Sequence, residues 1–156
     1  MTWRPDLTVA AVVQREGRFL IVEERINGAT VFNQPAGHVE DRESVVTAAI
    51  RETLEETAWH FTPRHFLGLY LWRNEDNGRS TVRIALSGEV TTREPSRRLD
   101  HGILDAHWLT RDELVARTAQ LRSPLVLRCI DDYLAGQRHE LTALHHLEAP
   151  AVARLA

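Results

Sequence analysis

The feature that most limits what this chain can fold into is the run from Glu43 to Thr57, which contains neither glycine nor proline and is rich in Ala, Glu, Leu and Arg. A turn-forming cluster, Asn33-Gln34-Pro35-Ala36-Gly37, precedes it, and Asp41 or Ser44 is available as N-cap. The run predicts a long helix entered through a tight loop. On a wheel at about 100° per residue, Ile50, Thr53 and Thr57 fall within about 40° of Val46 and form with it the face to be buried. Glu52, Glu55 and Glu56 occupy a different sector, because spacings of three and four residues bring side chains onto adjacent turns.

Three carboxylates so placed are unfavourable by themselves. Each like-charge pair destabilises a helix by about 0.2–0.5 kcal/mol, and anions in the last turns face the negative end of the helix dipole. Arg51 is adjacent in sequence but points about 100° away from Glu52, so it is not expected to neutralise all three. A divalent cation is the stronger candidate. Carboxylate oxygens without cysteine select Mg²⁺, Mn²⁺ or Ca²⁺, and Mg²⁺ keeps waters and recruits substrate phosphates to complete its octahedron. A plain solvated acidic face is the alternative.

Around this helix the pattern alternates strand and turn. Thr8 to Val13 and Phe19 to Glu23 are β-branched and apolar and read as a hairpin. An irregular stretch with Asn27-Gly28 follows. Phe66 to Arg73 and Ser80 to Glu89 predict a second hairpin, joined by a polar loop ending in Asn77-Gly78. Leu104 to Leu109 reads as a short strand, and Thr110-Arg-Asp-Glu113 is a capping box that opens a second helix. Ser123 as N-cap, Pro124 at the first helical position and Gly136 past the end frame a third. Two antiparallel hairpins with interleaved helices predict an α/β (α+β) fold with a mixed sheet packed between helices, as one domain over residues 1–156. The Ala-rich end from Ala149 is expected to be a frayed tail.

Composition narrows the function. All 19 basic residues are arginine, since the chain has no lysine, and 22 acids leave a net charge of -3. Schiff-base and PLP chemistry and P-loop NTPases, which need a lysine, are excluded. With no basic block, neither nucleic acid nor an anionic membrane is an expected partner. The partner is expected to be a small molecule. The one cysteine, Cys129, can form neither an internal disulfide nor a redox pair. Pro5 and Asp6 stand where a secretory signal needs an apolar run, and a cytoplasmic protein is expected, monomer or homodimer.

The segment Gly37-x5-Glu43-x7-Arg51-Glu52-Thr53-x-Glu55-Glu56-x-Ala58-Trp59 resembles the Nudix box, G-x5-E-x7-R-E-U-x-E-E-x-G-U, with U a bulky apolar residue. All five charged positions match at the right spacing. Thr53 replaces the apolar U. Ala58 replaces the glycine after the helix, so it must take a costly positive φ or end the helix differently. The resemblance implies an α/β/α sandwich and a hydrolase that cleaves a diphosphate linkage. It also implies Glu52, Glu55, Glu56 and the Gly37 carbonyl as ligands of Mg²⁺, with Mn²⁺ as a possible substitute, and Glu43 and Arg51 as braces between loop and helix. Glu52 is the candidate general base, a role that can instead fall to an acid on a distant loop. Water would be the attacking group in an in-line displacement, with metal and arginine neutralising charge.

Leu121-Arg122-Ser123-Pro124-Leu125-Val126, Tyr133-x-x-Gly136-x-Arg138 and Pro35-Ala36-Gly37-His38 are similar to the NudJ phosphatase subgroup of that family. That similarity implies release of orthophosphate from nucleoside tri- and diphosphates and from hydroxymethylpyrimidine diphosphate. His38, Trp72 and Arg73 are the candidate substrate-binding residues, with Trp3 a further possible stacking partner. An ADP-sugar or dinucleotide pyrophosphatase, a non-catalytic nucleotide-binding module and an RNA 5′-end pyrophosphohydrolase are the competing readings. The last is disfavoured by the missing basic stripe.

Overall fold

A computed structural model describes residues 2–148; the tail expected from Ala149 lies outside the described residues. The chain forms β1 (Asp6–Arg15), β2 (Arg18–Ile26), β3 (Ala29–Asn33), β4 (Ala36–His38), α1 (Val45–Thr57), β5 (Trp59–Arg73), β6 (Ser80–Arg93), β7 (Ile103–Leu109), α2 (Arg111–Val115) and α3 (Leu125–Leu134). The sheet runs β3-β2-β1-β6-β5, with β4 on β1 and β7 on β2. Within it β1 and β6 lie parallel, with Asp6 opposite Thr81 and Val13 opposite Gly88, and the other pairs are antiparallel. The parallel β1–β6 pair joins the two antiparallel hairpins and makes the sheet mixed, as expected.

The two-residue period of β1 separates two cores. Val9, Ala11 and Val13 pack with Ala48 and Ala49 of α1. Val12 turns to the other side and joins Leu114 of α2 with Cys129 and Ile130 of α3. Helices therefore cover both faces, the α/β/α layering that the box implied. Among the described residues no helix is long and apolar enough to cross a membrane.

Three local expectations are corrected. The stretch at Asn27-Gly28 is not irregular: both residues have positive φ, 49° and 81°, and form a two-residue turn that lets Ile26 pair with Ala29. The cluster before the helix is only partly a turn, because Ala36–His38 pairs with Thr8–Ala10. Finally, β5 starts at Trp59 rather than Phe66. Pro63 and Gly68 interrupt the strand pattern, yet β5 is a sheet edge, where proline removes no needed ladder bond and bulges at Trp59/Phe61, Pro63/His65 and Phe66/Gly68 absorb the irregular register.

Candidate active site

Ser44 opens α1. Its hydroxyl accepts from the Thr47 backbone N–H at 3.0 Å, satisfying one of the helix's free donors. Thr53 and Thr57 are fully buried, and their hydroxyls donate back to the carbonyls of Ala49 and Thr53, at 2.7 and 2.6 Å. A threonine in the apolar position is thus accommodated because its polar atom bonds within the helix. The helix ends at Ala58, which takes the left-handed conformation, φ 60° and ψ 13°, and donates to the Leu54 carbonyl at 2.9 Å. The geometry a glycine would supply is kept, at a conformational cost of about 1–2 kcal/mol for an L-residue.

The acids lie deeper than the wheel indicated. Glu52 and Glu56 are 9% and 8% exposed, on the same buried side as Ala48, Ala49 and Thr53, under the β4 strand. Burial pushes the Glu52 carboxyl up from its ordinary pKa, and pushes that of Glu56 up to about 9. One hydrogen bond opposes this at Glu56, from the Ala36 backbone N–H at 2.9 Å. Gly37 leaves room for the Glu52 carboxyl group, which a Cβ there would displace.

Arg51 corrects another expectation. Its long side chain curls back, and Nη1 donates to Glu52 at 2.8 Å and to Glu55 at 3.0 Å. The opposite edge grips Glu43 through two bonds, at 2.7 and 2.9 Å, and also donates to the His38 carbonyl. These bonds hold the Glu43 carboxyl below its usual pKa and tie the loop over residues 38–43 to the helix. Glu56 makes no ion pair with Arg51 or any other described residue. One guanidinium therefore serves Glu43, Glu52 and Glu55, and the most buried acid has none.

Sequence reasoning missed two further acids here. Asp100, in the loop between β6 and β7, donates its backbone N–H to the Glu55 carbonyl at 3.0 Å, and its charge raises the pKa of both Glu52 and Glu56. Glu24 of β2 raises that of Glu56 as well and is itself raised by burial. Neither has a spacing relation to α1, so no helical pattern could show them. Among the described residues no three acidic, histidine or cysteine side chains are already gathered into a metal cage, Arg51 standing between Glu52 and Glu55 instead. The donor set nevertheless suits a hard cation: buried carboxylate oxygens short of positive charge, beside a glycine whose missing side chain gives them room.

Beyond Gly37 a cavity of about 270 Å³ opens. His38 and Trp72 line it, as the sequence suggested, whereas Arg73 and Trp3 do not. Arg73 faces Glu75 at 3.6 Å, and Trp3 donates to Ser80 at 3.4 Å. Arg122, Ser123 and Leu125 line it too, so the segment that also serves as the start of α3 contributes to the cavity wall. Arg83 of β6 and Asn33 of β3 line it as well. The sequence signal for Arg83 is a charged residue inside the apolar strand run Val82-Arg83-Ile84-Ala85-Leu86.

A family model described as NUDIX domain matches residues 4–129. The chain belongs to the Nudix family. It is 38% identical over 148 residues to the protein named Phosphatase NudJ in Escherichia coli strain K12 and to that in Shigella boydii, covering 95% of each chain. Among solved structures, a NUDIX hydrolase from Nitrosomonas europaea superposes with a TM-score of 0.92 at 43% identity, over 94% of this chain and all of that one. The Nudix domain of Shewanella oneidensis NrtR, solved with ADP ribose, has a TM-score of 0.68 at 16% identity, over 86% of this chain and 90% of that one, and shows the shared fold alone. The protein is a Nudix hydrolase, and box residues spread over twenty positions of the chain lie close together because β4 lies across α1 and Arg51 ties Glu43 to the helix.

Proposed function

We propose that this Nudix hydrolase is a Mg²⁺-dependent phosphatase, with Mn²⁺ as a substitute, that releases orthophosphate from nucleoside tri- and diphosphates or from hydroxymethylpyrimidine diphosphate. The observation that carries the reading is the buried pair Glu52 and Glu56, the second with no cation beside it, in a chain similar over nearly its whole length to proteins named as phosphatases. Glu52, Glu55, Glu56 and the Gly37 carbonyl would hold the metal, which when bound neutralises phosphate oxygens and lowers the pKa of water. Arg51 and Glu43 keep the loop at the spacing this needs. Glu52, or Asp100 from its own loop, accepts the proton of the attacking water. His38 and Trp72 border the substrate's path into the cavity. The cavity volume lies just below the roughly 300–1,000 Å³ of drug-sized ligand sites, which favours a small organic group over a dinucleotide.

The test is a product assay. Incubated with Mg²⁺ and, separately, a nucleoside triphosphate, hydroxymethylpyrimidine diphosphate and ADP-ribose, the protein is expected to release orthophosphate from at least one of the first two. Two organic phosphates from ADP-ribose, with no orthophosphate from any substrate, would make it a pyrophosphatase of the ADP-sugar type instead.

A further inference from the structure

Arg83 is 5% exposed at the cavity floor and has no carboxylate partner among the described residues. Its terminal nitrogens donate to two neutral amides, Nη1 to Gln34 Oε1 at 3.0 Å and Nη2 to Asn33 Oδ1 at 3.1 Å. Guanidinium has no acceptor, so both amides must present oxygen to it. Gln34 is locked in that orientation, since its amide nitrogen donates to the Val126 carbonyl at 2.7 Å. Nε is buried without a hydrogen-bond partner, and the other titratable side chains beside the guanidinium, the Cys129 thiol and the Tyr70 hydroxyl, are kept in their neutral forms by burial. The charged groups that share the cavity are already matched: Asp6 with Arg79 at 2.8 Å, and Glu24 with Arg122 at 3.7 Å. Burial lowers the pKa of Arg83, as expected for a charge without a counter-charge.

A buried charge is costly unless paired. The amides orient the guanidinium and leave its charge uncompensated, and a neutral carbonyl on a ligand would leave it so as well. Only an anion supplies the missing counter-charge, and the cavity adjoins Gly37, where the diphosphate is placed by the proposed reaction. We propose that Arg83, held by Gln34 and Asn33, is an oxyanion seat that binds a phosphoryl oxygen of the substrate and so decides which compounds the cavity admits. The inference rests on the phosphatase reading for its substrate, though not for its chemistry. The phosphoryl group is either the one that leaves as orthophosphate or the one that stays on the organic product.

The experiment measures binding of inorganic phosphate and of a nucleoside monophosphate to the Mg²⁺-loaded protein, by calorimetry and as product inhibition constants. Arg83→Gln is expected to weaken one of them by about tenfold or more, as loss of a charge-assisted bond does, and Arg83→Lys to recover part of it. Loss for inorganic phosphate alone marks the leaving group as the occupant; loss for the monophosphate alone marks the retained one. Asn33→Asp guards against a variant that fails to fold. It keeps an oxygen on Nη2 and supplies the missing negative charge from within, so it should raise the thermal midpoint while weakening the same ligand. Unchanged binding of both ligands in Arg83→Gln and Asn33→Asp would overturn the seat and leave Arg83 a structural residue. Because these are binding measurements, they decide the matter even if the wild-type protein releases no orthophosphate.

Discussion

The end of α1 and the floor of the cavity are two buried charged regions on either side of Gly37, with opposite signs. In the first, Glu52 and Glu56 are packed under β4 with Arg51 reaching Glu52 but not Glu56. In the second, Arg83 of β6 is buried and held by the amides of Asn33 and Gln34, with no acid. Each region alone stores unfavourable desolvation. Together they suit a ligand that is anionic at one place and brings a cation to another, as a metal-bound diphosphate does. Incomplete compensation, rather than charge itself, separates these residues from surface pairs such as Arg18–Glu113 and Arg128–Asp132, which are more exposed and matched.

The sharpest way to break the comparison is to neutralise its acidic side. Glu56→Gln is expected to lower kcat by about 10³-fold, the scale of losing several kcal/mol of metal-borne stabilisation, with the fold retained by circular dichroism. Normal turnover in saturating Mg²⁺ would remove Glu56 from the site. Gly37→Ala comes next. Its methyl collides with the Glu52 carboxyl, so turnover should fall by about 10²-fold for a misplaced site group, while thermal unfolding reports a cost of about 1–3 kcal/mol for overpacking.

A pH series on metal-free protein sharpens the same contrast. The folded-state pKa of Glu56, about 9, stands above its ordinary 4.5, so its protonated form favours the fold. Its contribution is fully present below about pH 4.5 and is lost as pH rises through about 9. Urea midpoints should therefore fall across that interval, Mg²⁺ should restore them, and Glu56→Gln should flatten the slope. A wild-type slope of the opposite sign would show that the carboxylate is already compensated. The smallest effect is at Ala58→Gly. Relief of about 1–2 kcal/mol of left-handed strain is offset by a lost buried methyl, about 0.8 kcal/mol, and by unfolded-chain entropy, about 0.4–1 kcal/mol. Denaturant unfolding should place the net change within about 0.8 kcal/mol of zero.

Whatever depends on spacing along one element is legible in the amino-acid order. Glu43, Arg51, Glu52, Glu55 and Glu56 are linked by helical geometry and a short loop, and the capping box at Thr110 and the apolar strand runs carry the same kind of local information. The strand at Ala29–Asn33 escapes such a reading despite its Asn-Gly turn, because five residues are too few for a periodicity to stand out. The reach of Arg51 escapes it because a wheel fixes where a side chain leaves the helix, and a flexible guanidinium does not stop there.

The mixed α/β fold, the acidic helix and the family all follow from the chain's residue order, because period, caps and motif spacing are properties of neighbouring residues. Three-dimensional packing alone settles that Glu52 and Glu56 are buried, that Glu24 and Asp100 bear on them, that Trp72 faces the cavity while Arg73 does not, and that Arg83 is left without a counter-charge. Burial and compensation depend on which distant strands lie side by side, here β1 beside β6 and β4 across α1. The cost of a charge is set by that surrounding medium, which no single stretch of chain contains.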